Sequence, residues 1–312
     1  QVCYRLIMSN LELFEYCQKN PENFLDTNYM FVEKDPNLTS YINKTKVIKN
    51  KLIAIKETLG KKGSEKVVDQ LFNELQAELG DYANYSEFGA FVNACDSNID
   101  EVHIDNFLLR KITELYLEKR NFNDIVPSEW IQALVDKGTS RKKGQAGENK
   151  LMAILKIQGF VKVKNMKEFN NSKKCFARCS AKGDFSNKGI KSYFGIKIGK
   201  STQNKKLDLI IKLDKSIYFL EAKHLNTGGG GQDKQIKELI DVIKNKSGGN
   251  YHFVAFLDGI HSNTLLNAPK LPKSSKTGKV SSQYKDIVKY LKSTSSNYWV
   301  NTAGFKKLFG KS

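Results

Sequence analysis

Over the first 138 positions, apolar residues recur three or four apart in five stretches: Leu11 to Phe24, Tyr41 to Leu59, Val67 to Leu79, Phe107 to Leu117 and Trp130 to Val135. That is the period of a helix with one buried face. Breaks fall near Pro21, Pro36, Gly60 to Gly63, Asp96 to Asp100 and Pro127, so the pattern predicts a bundle or layer of helices. After residue 139 the rhythm changes. A helix is predicted from Gln145, with Leu151, Ile154, Leu155 and Gln158 on one stripe and Gly159 as its stop. Two short runs follow, Leu207 to Ile211 and Ile217 to Ala222, rich in leucine, β-branched and aromatic residues, and they read as strands. The polar stretch Lys212 to Ser216 between them suits a hairpin, which makes the strands antiparallel neighbours. Asn226-Thr227-Gly228-Gly229-Gly230-Gly231 cannot continue a strand. Beyond it, Gln232 to Lys244 reads as a helix with Ile236, Leu239, Ile240 and Ile243 at core spacing, and Tyr251 to Leu257 as a third strand. Tyr298 to Val300 and Phe305 to Phe309 close the chain as a short strand and a short helix. The predicted class is α/β (α+β), a mixed central sheet flanked by helices and preceded by a helical N-terminal domain.

Within the two predicted strands stand three charged residues, Asp208, Glu221 and Lys223, where a buried strand should carry none. Burying a charge costs several kcal/mol unless it is paired or holds a metal, so the pattern points to a cation site, with Mg²⁺ as the expected ion. Side chains alternate along a strand, which puts Glu221 and Lys223 on one face and Ala222 on the other. Register decides whether Asp208 faces Glu221. If it does, the two carboxylates and the backbone carbonyl of Ala222 offer the hard oxygen ligands that Mg²⁺ prefers. Lys223, one step along, is set to orient or deprotonate a water. Ion pairing at a sheet end would place the same residues there without any metal.

Charge changes the picture further. The 312 residues carry a net charge of +18, but Thr139 to Ser312 holds 35 Lys+Arg against 11 Asp+Glu, a balance of +24, while residues 1–138 carry −6. A field of that sign attracts a polyanion, and phosphate contacts supply most sequence-independent DNA affinity, so a nucleic acid partner is expected for the basic part. The division drawn is an acidic helical domain over 1–138, for recognition, scaffolding or dimerisation, and a basic domain over 139–312. The boundary lies in Asp136 to Gly144, where Arg141, Lys142 and Lys143 form either a phosphate clamp or a solvated basic linker. Residues 161–206 mix lysines with aromatics, which suits contact with phosphates and bases and equally an exposed β hairpin. Asn267 to Lys285, rich in Lys, Ser and Pro, reads as a mobile loop that orders on DNA. No run of 18 apolar residues occurs, and residues 1–20 lack the features of a secretory signal, so no membrane role is expected. Five scattered cysteines, Cys3, Cys17, Cys95, Cys175 and Cys179, argue for a reducing cytoplasm.

Asp208, Glu221-Ala222-Lys223 and the order of elements around them resemble the PD-(D/E)XK nuclease superfamily, whose type II restriction endonucleases form its largest sequence-specific group. The resemblance spans about residues 140–260; the proline of the motif's name is absent, since Leu207 precedes the acid. It implies an αβββαβ core, Mg²⁺ held by Asp208, Glu221 and Ala222, catalysis by Asp208, Glu221 and Lys223, and cleavage of double-stranded DNA at a specific sequence, as a homodimer. Superfamily members often place a glutamate near the start of the first core helix, which makes Glu148 a metal-site candidate; in the first turn of a helix it would equally serve as a dipole partner. Some members carry a glutamine on the helix that follows the motif, and Gln232 and Gln235 stand on the one after the glycine run, in reach of a base or a phosphate. The glycine run lets backbone N–H groups approach a phosphate, or is a flexible connection. Two other readings stay open: a recombination, repair or transposon nuclease with the same core, and an inactive DNA-binding module.

Overall fold

A computed structural model describes residues 8–121, 125–138, 140–196, 207–245, 248–272 and 274–310. The chain forms two compact units, Phe31–Ser140 and Gln1–Met30 together with Arg141–Ser312. In chain order, α1 (Asn10–Lys19) belongs to the second of these. The helical unit follows as α2 (Leu38–Thr58), α3 (Glu65–Glu78), α4 (Glu87–Ala94), α5 (Ile99–Ile104), α6 (Asn106–Lys119) and α7 (Ser128–Lys137). Its helices bury Leu52, Phe72, Leu75, Phe88, Val92, Leu109 and Tyr116 in a common core. Short polar residues begin them: Ser86, Asn98 and Asp105 accept the N–H groups of Gly89, Glu101 and Leu108 at 2.9, 2.9 and 3.0 Å, which satisfies donors that a helix leaves open.

The sheet unit continues with α8 (Ser140–Ile157), β1 (Val161–Lys162), α9 (Met166–Asn171), β2 (Lys174–Arg178), α10 (Asn187–Phe194), β3 (Leu209–Leu213), β4 (Ser216–His224), α11 (Gly230–Ile243), β5 (Tyr251–Asp258), α12 (Ile260–Leu266), α13 (Ser275–Ser293), β6 (Tyr298–Val300) and α14 (Thr302–Phe309). The six strands lie in the order β1-β2-β3-β4-β5-β6. β2/β3 and β3/β4 are antiparallel and the other pairs parallel, so the sheet is mixed, as the sequence pattern predicts. Apart from β1 and the short helices, α8-β2-β3-β4-α11-β5 runs helix, three strands, helix, strand, which is the αβββαβ order. β3 and β4 meet in a two-residue turn, Asp214-Lys215, where Asp214 takes φ 54°, a left-handed conformation that aspartate tolerates.

Both faces of the sheet are covered, and strand alternation sorts the cores. Leu209, Ile211, Tyr218 and Leu220 pack with Leu151 and Leu155 of α8 and Phe309 of α14. Ile210 and Phe219 point the other way, into a core with Phe169 and Ile190 of α9 and α10. α1 is pinned to the same unit: its Ser9–Glu12 capping box starts it, Leu13, Phe14 and Cys17 are buried in the sheet core, and Asn10 donates to the carbonyls of Leu291 and Thr294 at 2.7 and 3.0 Å. Residues 8–30 therefore fold with the sheet and not with the helices that follow them, unlike the division at residue 138. Other differences concern Asn267 to Lys285, most of whose described part is the start of the ordered helix α13 and not a loop, and residues 161–196, which hold β1, β2, α9 and α10 and not a β hairpin. Lys197 to Lys206 lie outside the described residues. Among the described residues no helix is long and apolar enough to cross a membrane.

Candidate active site

The pairing of Leu209 with Leu220 fixes the register, and one step further along the two strands Asp208 stands opposite Glu221. Past the end of the ladder the Asp208 side chain takes over: its Oδ2 accepts the Ala222 N–H at 2.8 Å, while its own N–H donates to the Leu220 carbonyl at 3.0 Å. In an antiparallel pair the N–H and C=O of one residue face the same neighbour, so the Ala222 carbonyl also faces the Asp208 side. Glu221 is 3% exposed. Lys223, two residues on and thus on the same face, reaches Glu221 Oε1 at 2.5 Å and lies 3.8 Å from Oε2 of Glu238 on α11. Asp208, Glu221 and Lys223 are thus brought together.

Electrostatics mark Asp208 as the stressed member. Burial, and after it the charge of Glu221, push its pKa up to about 7, against the pull of the Ala222 N–H and of Lys223; the charge of Glu148 adds to the rise. Glu148 therefore belongs to the electrostatic surroundings of Asp208, with its carboxylate 2.6 Å from Nε of Arg178 on β2. Its place on the helix differs from the expectation. α8 begins at Ser140, so Glu148 lies more than two turns inside it, where the helix dipole has no hold on a carboxylate. Among the described residues, four carboxylates, Asp208, Glu221, Glu238 and Glu148, share this end of the sheet with the cationic side chains of Lys223 and Arg178. That donor set of hard oxygens fits a divalent cation. Glu238 and Arg178 escaped the sequence pattern; the signal for Glu238 was its place one turn after Gln235 on the same helix face.

Residues 157–268 match the family model of the DpnII restriction endonuclease. The DpnII-like segment runs from the end of α8 through α12 and contains Asp208, Glu221, Lys223 and Glu238. The match supports the resemblance to type II restriction endonucleases drawn from the sequence. No curated protein and no solved structure matches the chain.

Of the residues expected to touch DNA, Gln232 and Gln235 lie in the DpnII-like segment, half-buried in the first two turns of α11. Lys142 is exposed and Lys143 half-buried near the start of α8, upstream of the segment, and the side chain of Arg141 lies outside the described residues. A second acidic cluster appears where the sequence gave no hint, at Glu22, Asp26 and Asp258, and its oxygens lie close enough together to hold a metal ion. A cation is already in place. Nζ of Lys150, 6% exposed, lies 2.7 Å from Asp26, 2.9 Å from Asp258 and 3.7 Å from Glu22. Burial works against that ammonium, yet the charges of Asp258 and Glu22 outweigh it and raise its pKa. Tyr29 donates to Asp258 at 2.5 Å and stacks on His224, whose Nδ1 lies 2.9 Å from the same carboxylate.

Proposed function

We propose that the chain is a Mg²⁺-dependent type II restriction endonuclease of PD-(D/E)XK type that hydrolyses both strands of DNA at a specific sequence. The observation that carries this reading is the pairing of half-buried Asp208 with buried Glu221, with Lys223 attached, within the DpnII-like segment. Asp208, Glu221 and the Ala222 carbonyl would hold Mg²⁺, with Glu148 close by. When bound, the ion supplies positive charge for the phosphate being cut and makes water more acidic. Lys223, held from two sides by Glu221 and Glu238, orients the attacking water and presents its ammonium to the phosphate. Because Lys223 is fixed by carboxylates on β4 and α11, its position is set before DNA arrives. The ends left are 5′-phosphate and 3′-hydroxyl, as the resemblance implies.

The +24 balance of residues 139–312 draws the duplex in, and Lys142, Lys143, Arg141, Gln232 and Gln235 are the proposed DNA contacts. The acidic helical part, drawn as 1–138 from the sequence, is proposed to serve recognition, scaffolding or dimerisation. A homodimer fits a palindromic site, since two strands related by twofold symmetry ask for two active sites related the same way. The proposed setting is the cytoplasm. The test is incubation of the full chain with unmethylated phage DNA and Mg²⁺, followed by sequencing of the ends. Discrete ends at one short sequence are expected, and lost with Asp208→Ala; random ends would point to a repair-type nuclease, and intact DNA that is nonetheless bound would point to an inactive module.

A further inference from the structure

The turn after the catalytic strand is built around an unused donor. Leu225 is clamped between β5 and α12: its N–H donates to the Asp258 carbonyl and its own carbonyl accepts the His261 N–H, each at 3.0 Å. The clamp needs glycine at 259, where φ is 83° and a Cβ would stand 2.3 Å from the Leu225 oxygen. Held in this way, the His261 ring lies against Gly228. A Cβ at Gly228 would meet Cε1 at 2.9 Å and both ring nitrogens at 3.5 Å, so the polar edge of the ring faces the glycine turn. His261 is 6% exposed, and its Nε2 is buried without a hydrogen-bond partner among the described residues. Native proteins rarely leave such an atom unpaired.

Immediately after that turn α11 begins, fourteen residues long, with no side chain capping it at Gly229. The Asp233 N–H takes the Gly229 carbonyl at 2.7 Å, so the N–H groups of Gly230, Gly231 and Gln232 precede the first bond of the helix and have no partner within it. Asp233, the acid of this first turn, is drawn toward α13 by Lys279 at 2.5 Å and Gln283 at 3.0 Å.

We propose that the N-terminus of α11 and the ring of His261 together bind a phosphate of the DNA backbone, distinct from the phosphate at Asp208, Glu221 and Lys223. The inference rests on the nuclease reading above. The helix end offers N–H groups and the positive pole of its dipole. His261 adds a neutral donor, since burial holds its pKa below the ordinary value against the opposing charge of Asp233. A rigid anchor on a second phosphate, set on the turn that leaves the catalytic strand, fixes the duplex along its axis relative to Lys223.

Full-length protein in Ca²⁺, with a duplex carrying the mapped cut sequence, tests the site. His261→Phe keeps the ring's volume and removes the donor, and its affinity should fall about tenfold, the worth of one hydrogen bond to a charged group. Gly228→Ala leaves the histidine but pushes its ring aside, and should weaken binding by a similar factor. Replacing duplex phosphates one at a time by neutral methylphosphonates should then reveal one position that weakens the wild type and no longer matters to either variant. Thermal melting confirms that the variants fold. Wild-type affinity in both variants, or an unchanged methylphosphonate profile, overturns the phosphate site while cutting by the wild type leaves the nuclease reading standing. A wild type that neither binds nor cuts DNA overturns both.

Discussion

The end of β4 separates two clusters of buried acids that are satisfied in opposite ways. On one face Glu221 and Lys223 meet Asp208; on the other His224 meets Asp258, Lys150, Asp26 and Glu22. In the second cluster every carboxylate oxygen has a donor. Asp258 takes His224, Tyr29 and Lys150; Asp26 takes Asn28 and Lys150; Glu22 takes the Thr302 N–H and hydroxyl at 2.6 and 2.8 Å. Asp208, by contrast, has among the described residues the Ala222 N–H on Oδ2, and its proton is held up to about pH 7. Proximity of acids is common to both, so it cannot be what makes a cation site. The sparse donation to Asp208 can, because a carboxylate left short in a low-dielectric pocket is stabilised by whatever positive charge enters.

The sharpest way to break this comparison is to remove acids from each side. Asp208→Ala and Lys223→Ala should each lower the single-turnover cleavage rate by about 10²–10⁴-fold, the usual worth of a group acting on the reacting atoms. Asp258→Asn should leave the Mg²⁺ midpoint of cleavage in place. A midpoint that moves with Asp258 and stays with Asp208 would reverse the roles assigned to the two clusters.

Stability should respond the other way round. Lys150→Met strands the buried charges of Asp258 and Glu22 and the half-buried one of Asp26, a loss of about 3–5 kcal/mol for breaking a buried pair. Urea unfolding measures it. Lys223→Met, where acids already outnumber bases, should be repaired by Mg²⁺; a Lys150→Met protein as stable as the wild type would show that the second cluster is not held by its lysine.

The two clusters also differ in how far the sequence revealed them. Asp208, Glu221 and Lys223 stood out because each interrupts an apolar strand, and the hairpin between the strands set their register. Glu22, Asp26, Lys150 and Asp258 come from distant parts of the chain and do not fall on one predicted hairpin, so only tertiary packing brings them together. The same limit explains the helices. The stripe Leu13, Phe14, Cys17 announces a helix but not which core it enters. The fully buried positions of α13, Ile287 and Leu291, lie in its second half, beyond the lysine- and serine-rich start that suggested a loop. Gly144 and Gly147 hid the early start of α8, since glycine weakens a helical pattern without ending it.

That early start sharpens the test of Glu148. With the dipole excluded, Glu148→Gln should cost under about 1 kcal/mol, as expected for a partly exposed ion pair with Arg178. Removing a charge beside Asp208 should raise the Mg²⁺ midpoint of cleavage about tenfold, the lower end for groups that support a metal ligand. An unmoved midpoint with a wild-type rate would leave Glu148 as the partner of Arg178 and nothing more.

The smallest expected effect isolates the shortage of donors itself. Asp208 has a folded pKa of about 7, above the ordinary 3.8, so its contribution to stability is complete below about pH 4 and is lost as pH rises through 7, where the folded protein must ionise a buried carboxylate beside Glu221. Asp208→Asn keeps an oxygen for the Ala222 N–H and never ionises. In EDTA it should therefore match the wild type near pH 4 and exceed it at pH 8, by about 0.5–2 kcal/mol, the scale of other stabilising changes at sites strained for activity. Mg²⁺ at pH 8 should close that gap by raising the wild type, since the cation balances the charge that the proton balanced at low pH. Stability curves for the two proteins that stay parallel from pH 4 to 8 in EDTA would mean that Asp208 is satisfied without a cation, and the contrast between the two faces of β4 would fail at its most informative residue.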